Sequence, residues 1–256
     1  MPVQFVDAST MPRAPLRMLL YGNPRLGKTT SAASAPRPAF LSVGLEGGDM
    51  TLRAFHGVKT TRIQTSQGML DAIEQIRQNP TLYDTVVVDS VTFYADLVIA
   101  ELVAKNRGPM RLQDWGILDN HLSKMVLPRL HQLPQHIIWI ALEQVEKDDA
   151  TGAVGRIGPM LPGKLSLKLP AVTDMIIRMA PQPVKFADGV IRETHVFQTV
   201  PQRTPQGPIL AGGRFGQVFP EGWILPTWDA LMERIGAFVE VTGTRPINQQ
   251  AYSQPR

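Results

Sequence analysis

The sequence predicts an α/β fold: a mostly parallel sheet with helices on both faces and additional β segments near the C-terminus. Three observations predict it. Short apolar, β-branched runs alternate with segments of helical periodicity. A glycine-bounded loop joins the first such run directly to a helix. The run Thr85-Val86-Val87-Val88 ends in a carboxylate, Asp89, at the sheet edge where open α/β folds meet their ligands.

In chain order, residues 16–21 read as a buried strand, and residues 28–35, rich in Ala, Ser and Thr, as a short helix stopped by Pro36. Residues 39–43 form a second apolar run that ends in the turn-rich Gly44-Leu45-Glu46-Gly47-Gly48. Ser66 is placed to cap a helix carrying Leu70, Ile73 and Ile76, which Pro80 ends, and residues 83–88 then form a β-branched strand. A helix over 91–105 is followed, after a Gly-Pro break, by a second with Trp115, Leu118, Leu122, Met125 and Leu133 on one stripe, kinked at Pro128. Residues 137–142 and 175–179 are the next strands, and 193–200 and 216–219 later, more exposed β segments.

With 256 residues and 43% hydrophobic content, the chain can bury one substantial core. The expected organisation is a flexible arm over 1–13, one domain over 14–240 and a disordered polar tail over 241–256. The absence of cysteine excludes disulfides, thiol nucleophiles and thiolate zinc sites, and fits a reducing compartment. No apolar run reaches the roughly 18 residues of a membrane helix, and residues 1–13 lack a signal-peptide core, so a cytoplasmic protein without a membrane partner is expected. The net charge of +4 permits a polyanionic partner without specifying one. His56, His121, His131, His136 and His195 lack ligand spacing and read as structural or surface residues. Trp115, Trp139, Trp223 and Trp228 read as filling or covering the core.

The loop Gly22-Asn23-Pro24-Arg25-Leu26-Gly27-Lys28-Thr29, with Thr30 behind it, carries the chemistry of a phosphate-binding loop. Gly22 and Gly27 free the turn so that backbone amides face a polyphosphate. Lys28 reaches the β and γ phosphates, and Thr29 offers its hydroxyl to magnesium. Asp89 holds the magnesium hydration shell from the end of its strand. ATP and Mg²⁺ are the cofactors this implies. Hydrolysis also needs a carboxylate to orient or deprotonate water, and the residue after Asp89 is Ser90, so the base comes from elsewhere. Glu46, in the glycine-rich loop at the same sheet edge, is the first choice. Glu143 or Gln144, just beyond the strand 137–142, can sense the γ phosphate, with Gln144 preferred.

These residues resemble the RecA recombinase superfamily, and within it the small phage RecA-like ATPases associated with single-strand annealing. The resemblance rests on residues 22–30, 40–48 and 85–92, and on Leu161-Pro162-Gly163-Lys164 followed by Asp174. It covers roughly residues 14–235. It implies a DNA-stimulated ATPase whose catalytic glutamate is Glu46, with one departure at Gly44, where such chains often carry Asp. It also implies single-stranded DNA as partner, bound by two stretches: residues 105–111 with Arg107 and Arg111, and residues 145–168 with Arg156, Lys164 and Lys168. A single-strand-binding protein is a further implied partner. So is a homo-oligomer, ring or filament, in which Arg214, or alternatively Arg203 or Lys185, completes a neighbour's site. Phe5-Val6-Asp7-Ala8 is similar to the Phe-x-x-Ala segment by which RecA-like recombinases link subunits. The competing reading is a nucleotide-gated assembly or regulatory ATPase acting on a protein partner without DNA. A small-molecule kinase is disfavoured, since no lid with clustered arginines is present.

Overall fold

The computed structural model describes residues 14–44, 48–147, 154–186, 188–205, 207–215 and 219–242. The strands are β1 (Arg17–Gly22), β2 (Pro38–Val43), β3 (Lys59–Ile63), β4 (Thr85–Asp89), β5 (His136–Lys147), β6 (Val154–Pro159), β7 (Met175–Lys185), β8 (Ile191–Gln198), β9 (Gln202–Thr204), β10 (Gly207–Ile209), β11 (Gly212–Gly213) and β12 (Trp223–Ile224). The helices are α1 (Lys28–Ala33), α2 (Gly48–Leu52), α3 (Ser66–Gln78), α4 (Val91–Asn106), α5 (Leu112–Asn120), α6 (Leu127–His131), α7 (Leu165–Val172) and α8 (Trp228–Thr242), with a π turn over His121–Val126 between α5 and α6.

The sheet runs β3-β2-β4-β5-β1-β7-β8-β12. Its six strands from β3 to β7 are parallel, while β8 and β12 add antiparallel pairs at one edge. The expected α/β class is therefore present, with the predicted extra β segments on the C-terminal side. Alternation along the central strands splits the core in two. Leu19, Tyr21, Val86, Val88, Ile137 and Trp139 face α3 to α7, and Leu20, Phe40, Val87, Ile138 and Ile140 face α1 and α8. A sheet buried on both sides explains why these strands read as continuous apolar runs.

Several elements depart from the sequence reading, each for a physical reason. β3 carries no apolar run because Lys59, Thr60, Thr61 and Arg62 are exposed on an edge strand and only Ile63 is buried. The cap of α3 is Thr65, whose hydroxyl accepts from the Gly68 amide at 2.9 Å, and Ser66 is the first helical residue. The kink expected at Pro128 is taken up by the π turn that precedes it, because proline cannot donate its amide and crowds the carbonyl one turn back. β5 and β7 run well past residues 142 and 179, since both leave the parallel sheet to form antiparallel hairpins with β6 and β8. α1 stops at Ala33. α7 contains Pro170, and α8 extends two residues into the expected tail. Phe219 is buried but lies in no strand. Residues 216–218, the arm at 1–13 and the tail from 243 lie outside the described residues.

The opposite, N-terminal edge of the sheet is tied by Arg17. Its guanidinium donates to the carbonyls of Gln135 (2.5 Å), His131 (2.7 Å) and Leu133 (2.8 Å), satisfying the last residue of α6 and two acceptors in the turn that leads to β5. The Asp174 carboxylate accepts from the Arg17 amide at 2.8 Å, which explains that aspartate structurally. His136 Nδ1 accepts from the Leu16 amide, His131 Nε2 from Trp139 Nε1, and His121 shares a hydrogen bond with the Tyr94 hydroxyl, so these histidines are structural as expected. Burial, and then the Arg17 charge, lower the His131 pKa from 6.5 to about 4. A histidine held neutral in the fold stabilises fully above its unfolded pKa and loses that contribution as pH falls, because the unfolded chain takes up the proton first. Melting temperature is therefore expected to drop between pH 6.5 and about 4. His131→Gln should reduce the slope without abolishing it, since burial lowers His121 and His136 as well.

Candidate functional site

The glycine loop leaves β1 under a steric constraint. A Cβ on Gly22 would stand 2.6 Å from the Met179 carbonyl of neighbouring β7, so only glycine lets the two backbones approach. The loop then turns through Arg25 (φ 66°) and Gly27 (φ 93°), whose left-handed conformation opens α1. Lys28 is buried, and its Nζ donates to the carbonyls of Gly22 and Asn23, 2.8 Å each. The ammonium is thus stationed over the loop. One residue on, Thr29 Oγ1 donates to Asp89 Oδ2 at 2.8 Å across sixty positions of sequence. Asp89 is itself buried at the end of β4, and the Asp89–Ser90 peptide is cis. Ser90 caps α4 by accepting from the Phe93 amide.

This donor set fits magnesium. A hard dication that keeps several waters needs only one or two protein oxygens beside its phosphates, and Thr29 and Asp89 present a hydroxyl and a carboxylate side by side. Among the described residues no cluster of three His, Cys, Asp or Glu competes as a metal site. When bound, magnesium neutralises charge on the transferring phosphate. The loop amides and Lys28 would hold the phosphates, and Thr29 and Asp89 would fix the metal's position.

β5 lies between β1 and β4, so its C-terminal half emerges between the loop and Asp89. Glu143 and Gln144, expected beyond the strand, are within it and pair with Pro159 and Gly158 of β6. Alternation puts Gln144 on the same face as Ile138 and Ile140, the face that α1 covers, and its amide donates to Glu146 at 3.4 Å. Glu143 is on the other face with Trp139 and Ala141. There both of its oxygens accept from Arg178 of β7, at 2.7 and 2.9 Å, while Asn23 Nδ2 lies 3.5 Å from Oε1. The bond to Glu143 raises the Arg178 pKa. Two charge-assisted hydrogen bonds give Glu143 a holding role between β5 and β7. Sequence reasoning misses Arg178, whose one signal is a lone cation inside the apolar run Met175-Ile176-Ile177-Arg178-Met179. It misses Thr92 too, which accepts from the Leu142 amide and donates to the Met160 carbonyl, tying α4 to β5 beside the site.

Glu46 lies outside the described residues. Gly44, just before it, has φ 89°, and a Cβ there would approach Phe93 to 3.1 Å, which accounts for glycine at the position where an aspartate is common. Of residues 105–111, the first two close α4 and 107–111 join it to α5, with Arg107 in a left-handed conformation (φ 51°) and Arg111 exposed ahead of α5. The stretch 145–168, expected as a loop, is instead the outer β5–β6 hairpin and the first half of α7, with 148–153 outside the described residues. Of its cations, Arg156 pairs with Glu146 (2.8 Å) and Lys168 with Asp119 (3.0 Å), while Lys164 is exposed. Arg214 pairs with Asp174 (3.3 Å) at the N-terminal edge of the sheet, opposite the loop. Lys185 ends β7 and Arg203 lies in β9, both exposed. No described helix is long and apolar enough to cross a membrane.

Residues 14–206 match the family model for the AAA domain. No curated protein matches. Among solved structures, an ATPase from the type III secretion system of pathogenic bacteria is similar, with 17% identity and a TM-score of 0.42 over 65% of this chain and 52% of that one. The chain therefore spans about half the length of that ATPase. The family match covers three quarters of the sequence and takes in Lys28, Thr29 and Asp89 at the positions where the fold brings them together, and the chain belongs to the AAA-domain family of P-loop ATPases.

Proposed function

We propose that the chain is an ATP-hydrolysing, RecA-like protein that binds single-stranded DNA and promotes annealing or strand exchange in phage-type homologous recombination. One observation carries this reading. β5 runs without interruption from the sheet edge between Lys28 and Asp89 into the hairpin and turn that bear Arg156 and Lys164, so nucleotide and nucleic acid would act on one strand. In this reading Glu46 is the base, Gln144 senses the γ phosphate, and Thr29 with Asp89 holds magnesium. Subunits assemble head to tail, the Phe5 segment serving as the link. Arg214 serves a neighbouring site, and its place at the sheet edge opposite its own loop suits that task.

The test is ATP turnover with and without single-stranded DNA. Stimulation is expected. Turnover indifferent to DNA would favour an ATPase acting on a protein partner. Replacing Arg107, Arg111 and Lys164 together with Gln is expected to weaken DNA binding and flatten its salt dependence by roughly one counterion per lost phosphate contact, with basal ATPase retained. An unchanged slope in filter binding across a salt series would place the DNA elsewhere.

A further inference from the structure

Trp115 breaks the pattern of its helix. Of the stripe that periodicity assigns to the core, Leu118, Leu122 and Leu133 are buried, whereas Met125 keeps 38% and Trp115 47% of its surface exposed. Trp139 and Trp228 are buried. An indole left in water is the informative exception. Beside it a cleft of about 390 Å³ opens between α5 and residues 162–165, walled by Trp115, Leu118, Leu122 and Pro162, with Lys164 in its lining. Gly116 and Gly163 line it as well, and a Cβ on either would meet nothing within 4 Å, so the absence of side chains keeps it open. Its lining carries one acid and one base, Asp119 and Lys164. The acidic member, Asp119, is bound to Lys168 at 3.0 Å, while Lys164 is exposed and Arg111 stands one helical turn before Trp115.

We propose that this cleft receives one unstacked base of a single-stranded nucleic acid, the base lying on the Trp115 indole and its flanking phosphates meeting Lys164 and Arg111. The inference rests on the nucleic-acid reading above and gives it a contact point. An aromatic face with apolar walls accepts any base through its π surface, and cations at the rim supply the backbone attraction. The volume suits a splayed base and its sugar and excludes a duplex. Binding here is therefore tolerant of sequence, as annealing along arbitrary strands requires.

The full chain is titrated with oligothymidylate and, separately, oligouridylate, by fluorescence anisotropy of labelled strands and by intrinsic tryptophan emission. Wild type is expected to show quenching that saturates with binding. Trp115→Ala should lose that quenching and weaken binding about tenfold. Gly116→Leu fills the cleft while leaving the indole in place, and it favours the helix, so it should bind equally poorly at an undiminished melting temperature. Equal losses with both strands support base stacking blind to the sugar, and a loss confined to oligothymidylate supports a DNA-specific cleft. If wild type binds and both variants bind as tightly, the cleft proposal falls alone. If wild type binds neither strand, the nucleic-acid reading falls with it. Self-association that Gly116→Leu abolishes, without any effect on the oligonucleotides, would assign the cleft to a second copy and overturn the proposal.

Discussion

Lys28→Ala is expected to lower ATP turnover by about a hundredfold or more, the usual cost of deleting a charged group aimed at a developing phosphate charge. The geometry explains why this lysine matters more than its neighbours. Its ammonium is buried and held by the Gly22 and Asn23 carbonyls at the loop, where it would meet the β and γ phosphates of a bound triphosphate. Arg25, in the same loop, is exposed. Binding of a fluorescent triphosphate should weaken in the same variant, while circular dichroism stays that of wild type. A Lys28→Ala protein that hydrolyses ATP normally would mean that the glycine loop is not the site of hydrolysis. Glu46→Gln offers a milder companion: it should retain bound nucleotide yet turn over slowly, since an amide matches the shape of the acid but cannot take the proton.

Arg178→Met is expected to be the most destabilising single change near the site. Arg178 and Glu143 have side chains 17% and 7% exposed and share two hydrogen bonds, and removing one partner of such a buried pair costs roughly 3–5 kcal/mol. The pair also ties β7 to β5 across β1, beside the Asn23 amide. An uncompensated Glu143 carboxylate next to a phosphate-binding loop should repel the nucleotide, so triphosphate affinity falls together with stability. The double variant Glu143→Gln, Arg178→Met is expected to recover most of both losses, because no orphaned charge remains. Urea unfolding and nucleotide titration of the two singles and the double complete the cycle. Additive losses in the double variant would show that Arg178 acts independently of Glu143.

What is legible in the sequence follows from what each signal depends on. The loop from Gly22 to Thr29 and the strand ending at Asp89 are readable because local chemistry demands them. A turn without side chains, a lysine and a hydroxyl at fixed spacing, and a β-branched run closed by one carboxylate together serve few purposes besides holding a polyphosphate and its metal. The buried strands are readable because a sheet covered on both faces leaves unbroken apolar runs. β3 is not readable, since an edge strand satisfies its backbone on one side and can be polar throughout. Nor is the true extent of β5 and β7, where alternating polar residues of a solvated hairpin resemble a loop. Trp115 deceives for a related reason: periodicity places a side chain on a helix face but cannot say that Gly116 beside it and Gly163 across the cleft leave the space next to it unfilled.

The sequence by itself determined the fold class and singled out the glycine loop with Lys28, Thr29 and Asp89 as candidates, because these depend on local backbone geometry and on the order of strands and helices. Only the tertiary structure decided which residues meet. That Thr29 and Asp89 form one 2.8 Å pair, that Arg178 takes both oxygens of Glu143, and that β5 stands between loop and carboxylate all follow from strand order in the sheet. Strand order arises from the packing of helices on two faces at once, a long-range balance that no window of sequence contains.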